Sequence, residues 1–353
     1  MIKEGIKKVV EGCDLTYQES SEIMKEMMSG CATQAQIGAF LTALRMKGET
    51  VDEVSAFASI MREFCHNIRP NVKGRVMDTC GTGGDKIKTF NVSTVSAFVA
   101  AGAGAIVAKH GNRSVTSKSG SADILERLGL NLNLEPEYVK RTIEDLGIGF
   151  MFAPIFHPAM KNAIGPRREI GIRTAFNILG PLTNPANANA QLLGVFDNTW
   201  LKPLVFVLKR LGCEEAMVVH GLDGIDEIST IGKTAVAWLK DDEIRFQELS
   251  PKDFGIKAAR PDEILGDDPE KSADIAFRLL NGDPRSGDSK MGMLLANSSA
   301  ALVVGGKADD FKHGIYLASE SIESGAAYNK LRDLIKASGG DMSKLEELEK
   351  KYA

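Results

Sequence analysis

From about residue 71 onward, short runs rich in β-branched and aliphatic residues alternate with stretches of helical periodicity: RVMDTC, then NVSTVSAFVAAGA, then AIVAKHG, then SADILERLG. QLLGVF, AMVVHG and TAVAWLK continue the pattern, separated by helix-like segments. This rhythm predicts an α/β fold with a mainly parallel sheet flanked by helices. Residues 1–70 lack it. There, three S/T-x-x-E/Q capping boxes (Thr16 with Glu19, Thr33 with Gln36, Thr50 with Glu53) each precede a helical apolar stripe such as Ile37, Phe40, Leu41 and Leu44. They predict a smaller all-helical N-terminal domain. Its Met24, Met27 and Met28 read as packing, in the core or against a second subunit, because methionine commonly fills gaps.

An Asn/Pro-rich stretch at 166–190, PRREIGIRTAFNILGPLTNPANANA, interrupts the alternation. We read it as the chain crossing back to the helical bundle. The helical domain is then 1–70 completed by a segment around 166–190, and the α/β domain is 71–165 with 191–353. From residue 268 the chain is a succession of helices, the last being SKLEELEKKY, whose charges suit a solvated face with i, i+4 pairs.

With 43 basic and 47 acidic residues the net charge is −4, so the chain has no bulk attraction for nucleic acid or anionic lipid. Any anion site must be local. The five cysteines are odd in number and form no C-x-x-C pair, which fits reduced thiols in a cytoplasmic protein. The longest apolar run, AFVAAGAGAIVA, is too short and too glycine-broken to span a bilayer.

A local anion site is offered by GTGGDKIKTFNVST, residues 81–94, directly after the strand-like VMDTC. Gly81, Gly83 and Gly84 let the backbone turn sharply and approach a phosphate, although a tight structural turn would use the same residues. The loop has neither G-K-[ST] nor the third glycine of G-x-G-x-x-G, which disfavours the common nucleotide sites. Asn91, Ser93 and Thr94 stand before an apolar helix pattern, where one can cap the helix and the others face a ligand. AIVAKHG then delivers Lys109, His110, Asn112 and Arg113, and SVTSKSGSAD adds hydroxyls before a helix that starts near Ser121. Three consecutive strand ends would so direct donors to one edge of the sheet, suiting a ligand with several separated phosphates. GLDGIDEIST, residues 221–230, places Asp223, Asp226 and Glu227 in a loop that suits either a polar surface turn or Mg²⁺. The five histidines lack zinc spacing.

GTGGD at 81–85, NVST at 91–94, KHGNRSVTSKSGSADILERLG at 109–129, HPAMK at 157–161, GIRTAFNILGPLTNPA at 171–186 and the Asp226–Glu227 pair together closely resemble the anthranilate phosphoribosyltransferases. The resemblance runs in order from about residue 5 to about residue 340. It implies a nucleoside phosphorylase/phosphoribosyltransferase-like fold, usually homodimeric through the helical part. The implied reaction joins anthranilate to phosphoribosyl pyrophosphate (PRPP) with Mg²⁺ in tryptophan biosynthesis.

By the same resemblance, Gly81, Gly84 and Asp85 lie near the diphosphate and ribose of PRPP, with Thr89, Asn91, Val92, Ser93 and Thr94 on phosphate and metal. Lys109, His110, Gly111, Asn112 and Arg113 continue the phosphate shell. Ser114, Val115, Thr116, Ser117 and Ser121 complete it. Ser93, Asp226 and Glu227 are the implied metal ligands. Arg167 is the implied partner of the anthranilate carboxylate, with Asn112 as a hydrogen-bonding group and Gly81 leaving room. Arg168 and Arg173 read as ordinary surface or interdomain ion pairs. No catalytic base is assigned to His110 or His157, since an aromatic amine is neutral and nucleophilic at pH 7. Two other readings, a pyrimidine nucleoside phosphorylase and a silent nucleic-acid-binding relative, fit the HGNR run, the Asp-Glu pair and the acidic balance less well.

Overall fold

The computed structural model describes residues 1–84, 87–114, 119–266, 268–283 and 287–352. The chain opens with helices α1 (Ile2–Val10), α2 (Tyr17–Met28), α3 (Gln34–Lys47) and α4 (Val51–Glu63). Each of the last three starts at its predicted capping box: Thr16, Thr33 and Thr50 accept from the N–H three residues on, and Glu19, Gln36 and Glu53 reach back to the cap N–H. The reciprocal bonds satisfy donors that a helix start otherwise leaves free. Met24, Met27 and Met28 are buried in the core.

The remainder runs β1 (Val76–Gly81), α5 (Val92–Gly102), β2 (Ile106–Gly111), α6 (Ser121–Arg127), α7 (Pro136–Leu146), β3 (Ile148–Phe152), α8 (Ala153–Phe156), α9 (Lys161–Ile170), α10 (Phe176–Leu182) and β4 (Ala190–Gly194). It continues α11 (Leu201–Arg210), β5 (Glu215–Gly221), β6 (Thr234–Lys240) and β7 (Glu243–Leu249), then α12 (Pro269–Leu280), α13 (Asp288–Val304), α14 (Phe311–Glu323), α15 (Ala326–Ala337) and α16 (Met342–Tyr352). The seven strands form one sheet in the order β3-β2-β1-β4-β5-β6-β7. β3 through β5 are parallel along this order, and β6 and β7 add antiparallel. The sequence pattern misses β3 and β7. IGFMF is a short continuous apolar run that periodicity cannot tell from a buried helix, and EIRFQEL is an exposed, charged edge strand.

Alternation along the strands sends Met77, Leu192, Met217 and Val219 to one face, into a core built with α5, α12, α13 and α15. Cys80, Leu193, Ala216 and Val218 point to the other face, into a core shared with α11 and the N-terminal helices. α11 packs on both β5 and α4, so the bundle and the sheet have apolar contacts in common. Pro166 lies inside α9, which begins already at Lys161 and packs on α3 and α2, while α10 packs on α4. The following Asn/Pro-rich stretch returns to the sheet. Asn184 Nδ2 donates to Asp78 Oδ2 at 2.7 Å and to the Ala108 carbonyl at 2.8 Å, replacing with hydrogen bonds the water those buried groups lose.

Candidate active site

β1 has β2 on one side and β4 on the other, so the chain leaves it in opposite directions across this point. Ligands of open parallel sheets bind in the crevice outside such a reversal, at the C-terminal strand ends. The four neighbouring strands β2, β1, β4 and β5 all end on glycine, at Gly111, Gly81, Gly194 and Gly221. At each of them a Cβ would meet another atom within 3.0 Å, and at two the obstacle is Asp226. Gly81 and Gly194 face each other in register, and the loop after β5 lies across both. A Cβ at Gly81 would stand 2.7 Å from Asp226 Oδ2, and one at Gly194 only 1.5 Å from the Asp226 carbonyl oxygen.

A cleft of ≈ 530 Å³ opens above these tips. Its floor joins the glycine-rich loop to the acidic loop. Gly83 N–H donates to Asp226 Oδ2 at 2.8 Å, and Ser93 N–H donates to Glu227 Oε1 at 3.2 Å. Ser93 and Thr94 belong to the first turn of α5 rather than preceding it, with Thr94 buried. Asn91 occupies the cap position without a side-chain capping bond and donates instead to the Ser119 carbonyl at 3.0 Å. The difference from the sequence reading arises because Glu227, from a distant loop, takes the helix N-terminus that a local cap would have used. Gly84, Thr89, Asn91, Ser93 and Thr94 border the cleft, and Val92 is buried behind it.

From the β2 end, Lys109 is almost fully buried and donates through Nζ to the Thr79 carbonyl at 2.5 Å. His110, Gly111, Asn112 and Ser114 border the cleft, and Ser121 Oγ donates to the Asn112 carbonyl at 3.3 Å. Arg113 also lies at the edge, but its guanidinium is engaged by both carboxylate oxygens of Glu126, at 2.7 and 2.8 Å, and by Asp123. Asp85, Val115, Thr116 and Ser117 lie outside the described residues. The donors come from the ends of β1 and β2, with the acidic pair supplied after β5. The expected three consecutive strand ends are thus replaced by a non-consecutive set, because β4 and β5 sit beside β1 in space. Asp223 is not in the cleft lining. It accepts from Ser229 Oγ and Ile225 N–H, and so shapes the loop that presents Asp226 and Glu227.

The opposite wall is the crossing segment. Arg167, in the last turn of α9, lies with its guanidinium 4.9 Å from the ring centre of Phe176. Burial pushes its pKa below the ordinary arginine value, and among the described residues no carboxylate pairs with it. A half-buried guanidinium so placed is a receptor for a carboxylate. Arg168 is exposed, and among the described residues neither it nor Arg173 is in an ion pair. Arg173 instead donates to the Gly84 carbonyl at 3.2 Å.

Several residues unassigned by sequence also border the cleft: Lys88, Ser119, Phe176, Asn177, Gly180 and Pro181, with Leu265 and Gly266. Phe176 to Pro181 sit within a motif already quoted. Leu265 and Gly266 carry no sequence signal, since their approach depends on a long-range contact in which Gly266 N–H donates to the Lys88 carbonyl at 2.8 Å.

His110 and His157 lie side by side with ring centres 5.0 Å apart and planes tilted by 49°. Burial is the main cause that holds His110 well below its usual range and lowers His157 to about 4, so both are neutral at pH 7. Asp226 moves the other way. Burial raises its carboxyl pKa, partly offset by the Gly83 N–H and by the nearby Arg173 guanidinium. Asp226 and Glu227 are both buried beside Ser93 in an all-oxygen set. Among the described residues no three His, Cys, Asp or Glu groups converge on a metal position. Such a half-site fits Mg²⁺, which keeps several waters and shares substrate oxygens, better than a metal needing a full protein cage.

A larger groove, ≈ 630 Å³, lies on α3 and α9. Its lining is mostly apolar and lacks the converging donors of the smaller cleft, which is therefore the candidate site. No described helix is long and apolar enough to cross a membrane.

Residues 73–328 match the description "Glycosyl transferase family, a/b domain" and residues 3–65 "Glycosyl transferase family, helical bundle domain". The chain is 50% identical to the anthranilate phosphoribosyltransferase of Acetivibrio thermocellus over 335 residues, 95% of this chain and 96% of that one. The crystal structure of the Thermus thermophilus anthranilate phosphoribosyltransferase superposes with a TM-score of 0.89 at 40% identity, covering 95% of this chain and 99% of that chain. The Saccharomyces cerevisiae enzyme in complex with PRPP and Mg superposes with a TM-score of 0.87 at 27% identity, covering 96% and 98%.

Proposed function

This chain belongs to the anthranilate phosphoribosyltransferase family and transfers the phosphoribosyl group of PRPP to the amine of anthranilate, releasing pyrophosphate, in tryptophan biosynthesis; we propose that the cleft above β1, β2 and β4 is where it does so. The observation that carries this assignment is the facing pair of walls: buried carboxylates held by backbone N–H groups on the sheet side, and on the other a half-buried guanidinium with no carboxylate partner among the described residues. The decisive assay mixes the protein with anthranilate, PRPP and Mg²⁺ and follows loss of anthranilate fluorescence. No loss at any enzyme concentration would overturn the assignment.

PRPP lies along the strand tips, with the loop at 81–94 and the residues from Lys109 to Ser121 around its phosphates. Asp85, Val115, Thr116 and Ser117 belong to this shell by family resemblance. Anthranilate lies against the crossing segment with its carboxylate on Arg167, its ring near Phe176 and Asn112, and room provided at Gly81. The amine attacks C1 as the bond from C1 to the diphosphate oxygen breaks, with inversion at C1, and the amine proton is lost. No protein base precedes the attack, because the amine is already neutral. Lys109, whose side chain reaches the cleft from the end of β2, favours the negative charge that grows on the departing diphosphate. Anthranilate is oriented by its two fixed ends, which removes much of the entropy cost of the encounter.

Asp226, Glu227 and Ser93 are the residues that would hold Mg²⁺, the ion present with PRPP in the yeast relative's complex. When bound it would neutralise charge on the leaving diphosphate. Glu227→Gln is expected to reduce turnover about a hundredfold and to raise the Mg²⁺ concentration needed for half-maximal rate, with thermal melting nearly unchanged. A Mg²⁺ titration superimposable on the parent's would remove Glu227 from the site.

Two further parts of the reading concern organisation. The division into a helical domain (1–70 with the segment around 166–190) and an α/β domain (71–165 with 191–353) is supported by the packing of α9 and α10 on α2, α3 and α4. A homodimer through the helical part is supported by exposed apolar residues on one face of that domain, with Val10, Ala39 and Met46 beside the groove on α3. Light scattering should give twice the 38.1 kDa chain mass, and a single-chain mass at micromolar concentration would refute it.

A further inference from the structure

Arg173 sits in the link between α9 and α10, in the segment between Arg167 and Phe176, and lies just outside the cleft lining those two residues belong to. Its guanidinium carbon lies 4.3 Å from the ring centre of Phe196, just beyond β4. Its Nη2 donates to the Gly84 carbonyl at 3.2 Å. Gly84 has φ +88°, and a Cβ built there would fall 1.6 Å from that same Nη2, so the guanidinium rests on bare backbone. Phe196 is itself tied to the loop, its N–H donating to Thr82 Oγ1 at 3.1 Å, while Thr82 N–H donates to the Gly194 carbonyl at 2.9 Å. The cation is therefore fixed on one side by a ring and on the other by the loop whose Gly83 N–H holds Asp226. Arg173 is half-buried, and the ring contact and hydrogen bond offset the rotamer freedom that a clamped long side chain loses.

We propose that Arg173 is a positioning residue that latches the anthranilate wall to the glycine-rich loop, so that binding of PRPP on one side strengthens binding of anthranilate on the other. The inference rests on the assignment of the cleft made above. Its physical basis is that one side chain contacts both walls, so any ligand that orders the loop also orders the segment bearing Arg167 and Phe176. The coupling this implies is reciprocal and of ordinary allosteric size, about tenfold.

The test compares the parent protein with Arg173→Gln, Arg173→Lys and Phe196→Leu, measuring the KM for anthranilate at subsaturating and at saturating PRPP, together with kcat and thermal melting. In the parent, saturating PRPP should lower the anthranilate KM by about tenfold. Arg173→Gln should abolish that dependence and lower kcat by about tenfold. Arg173→Lys keeps a cation and a donor and should restore part of both effects. Phe196→Leu removes only the stack and should weaken the coupling in the same direction, which keeps the inference testable should a variant at 173 fail to fold. A parent without turnover would remove the cleft assignment and this inference together. An active parent whose variants keep the same PRPP dependence would remove only the latch, as would a loss that follows melting temperature and that lysine does not relieve.

Discussion

Arg167→Ala is expected to raise the KM for anthranilate about a hundredfold or more, while the KM for PRPP stays within a few-fold of the parent's. The guanidinium is half-buried, lies against Phe176 and, among the described residues, has no carboxylate partner within the protein. Its charge is thus partly desolvated in advance of any anion. Removing one member of a buried, hydrogen-bonded charge pair costs about 2–5 kcal/mol, most of it because the remaining charge is left unpaired. For anthranilate that remaining charge is the carboxylate. Steady-state kinetics with each substrate varied in turn decides the matter, and an anthranilate KM equal to the parent's would mean that another group receives the carboxylate. The alanine variant should melt near the parent temperature, since no internal ion pair is broken.

Gly194→Ala should lower kcat/KM about a hundredfold through a residue that touches no substrate. Its new methyl would need the space of the Asp226 carbonyl, 1.5 Å away, and the obstacle is backbone rather than the end of a flexible side chain. Either β4 or the acidic loop must shift, and the loop carries Asp226 and Glu227. Overpacking of this kind costs about 1–3 kcal/mol of stability, while a displacement near 1 Å in a reacting constellation costs about a hundredfold in rate. Calorimetry should show a modest fall in Tm beside the much larger kinetic loss. A variant with parent-like kinetics would show that the strand tips tolerate the methyl and that their glycines do not set the position of the carboxylates.

Much of the architecture was legible in the chain itself because its signals are local. Capping boxes at Thr16, Thr33 and Thr50 act within four residues, and strand-helix alternation needs only the period of the apolar positions. β3 and β7 escaped for equally local reasons, one being too short and uniformly buried to show a period and the other exposed at an edge. The predicted site residues fared according to how far away their partners lie. Glycines after β1 and the Asp226–Glu227 pair were visible as unusual composition. That Glu227 would take the N-terminus of α5 from Asn91, that Arg113 would be occupied by Glu126, and that Asp223 would brace a loop were not.

The order of residues by itself determined which segments coil or extend, and it placed small, polar and acidic residues where strands end. Only the tertiary structure decided which of those ends meet. Gly81 and Gly194 are far apart in sequence, yet they lie in register beneath one carbonyl and one carboxylate of Asp226. Arg173 reaches Gly84 only because α9 and α10 carry the crossing segment over the sheet. Short-range rules follow from backbone geometry and hydrogen bonding within a few residues. The meeting of distant segments follows from burying two faces of one sheet at once, a condition that no local stretch of sequence contains.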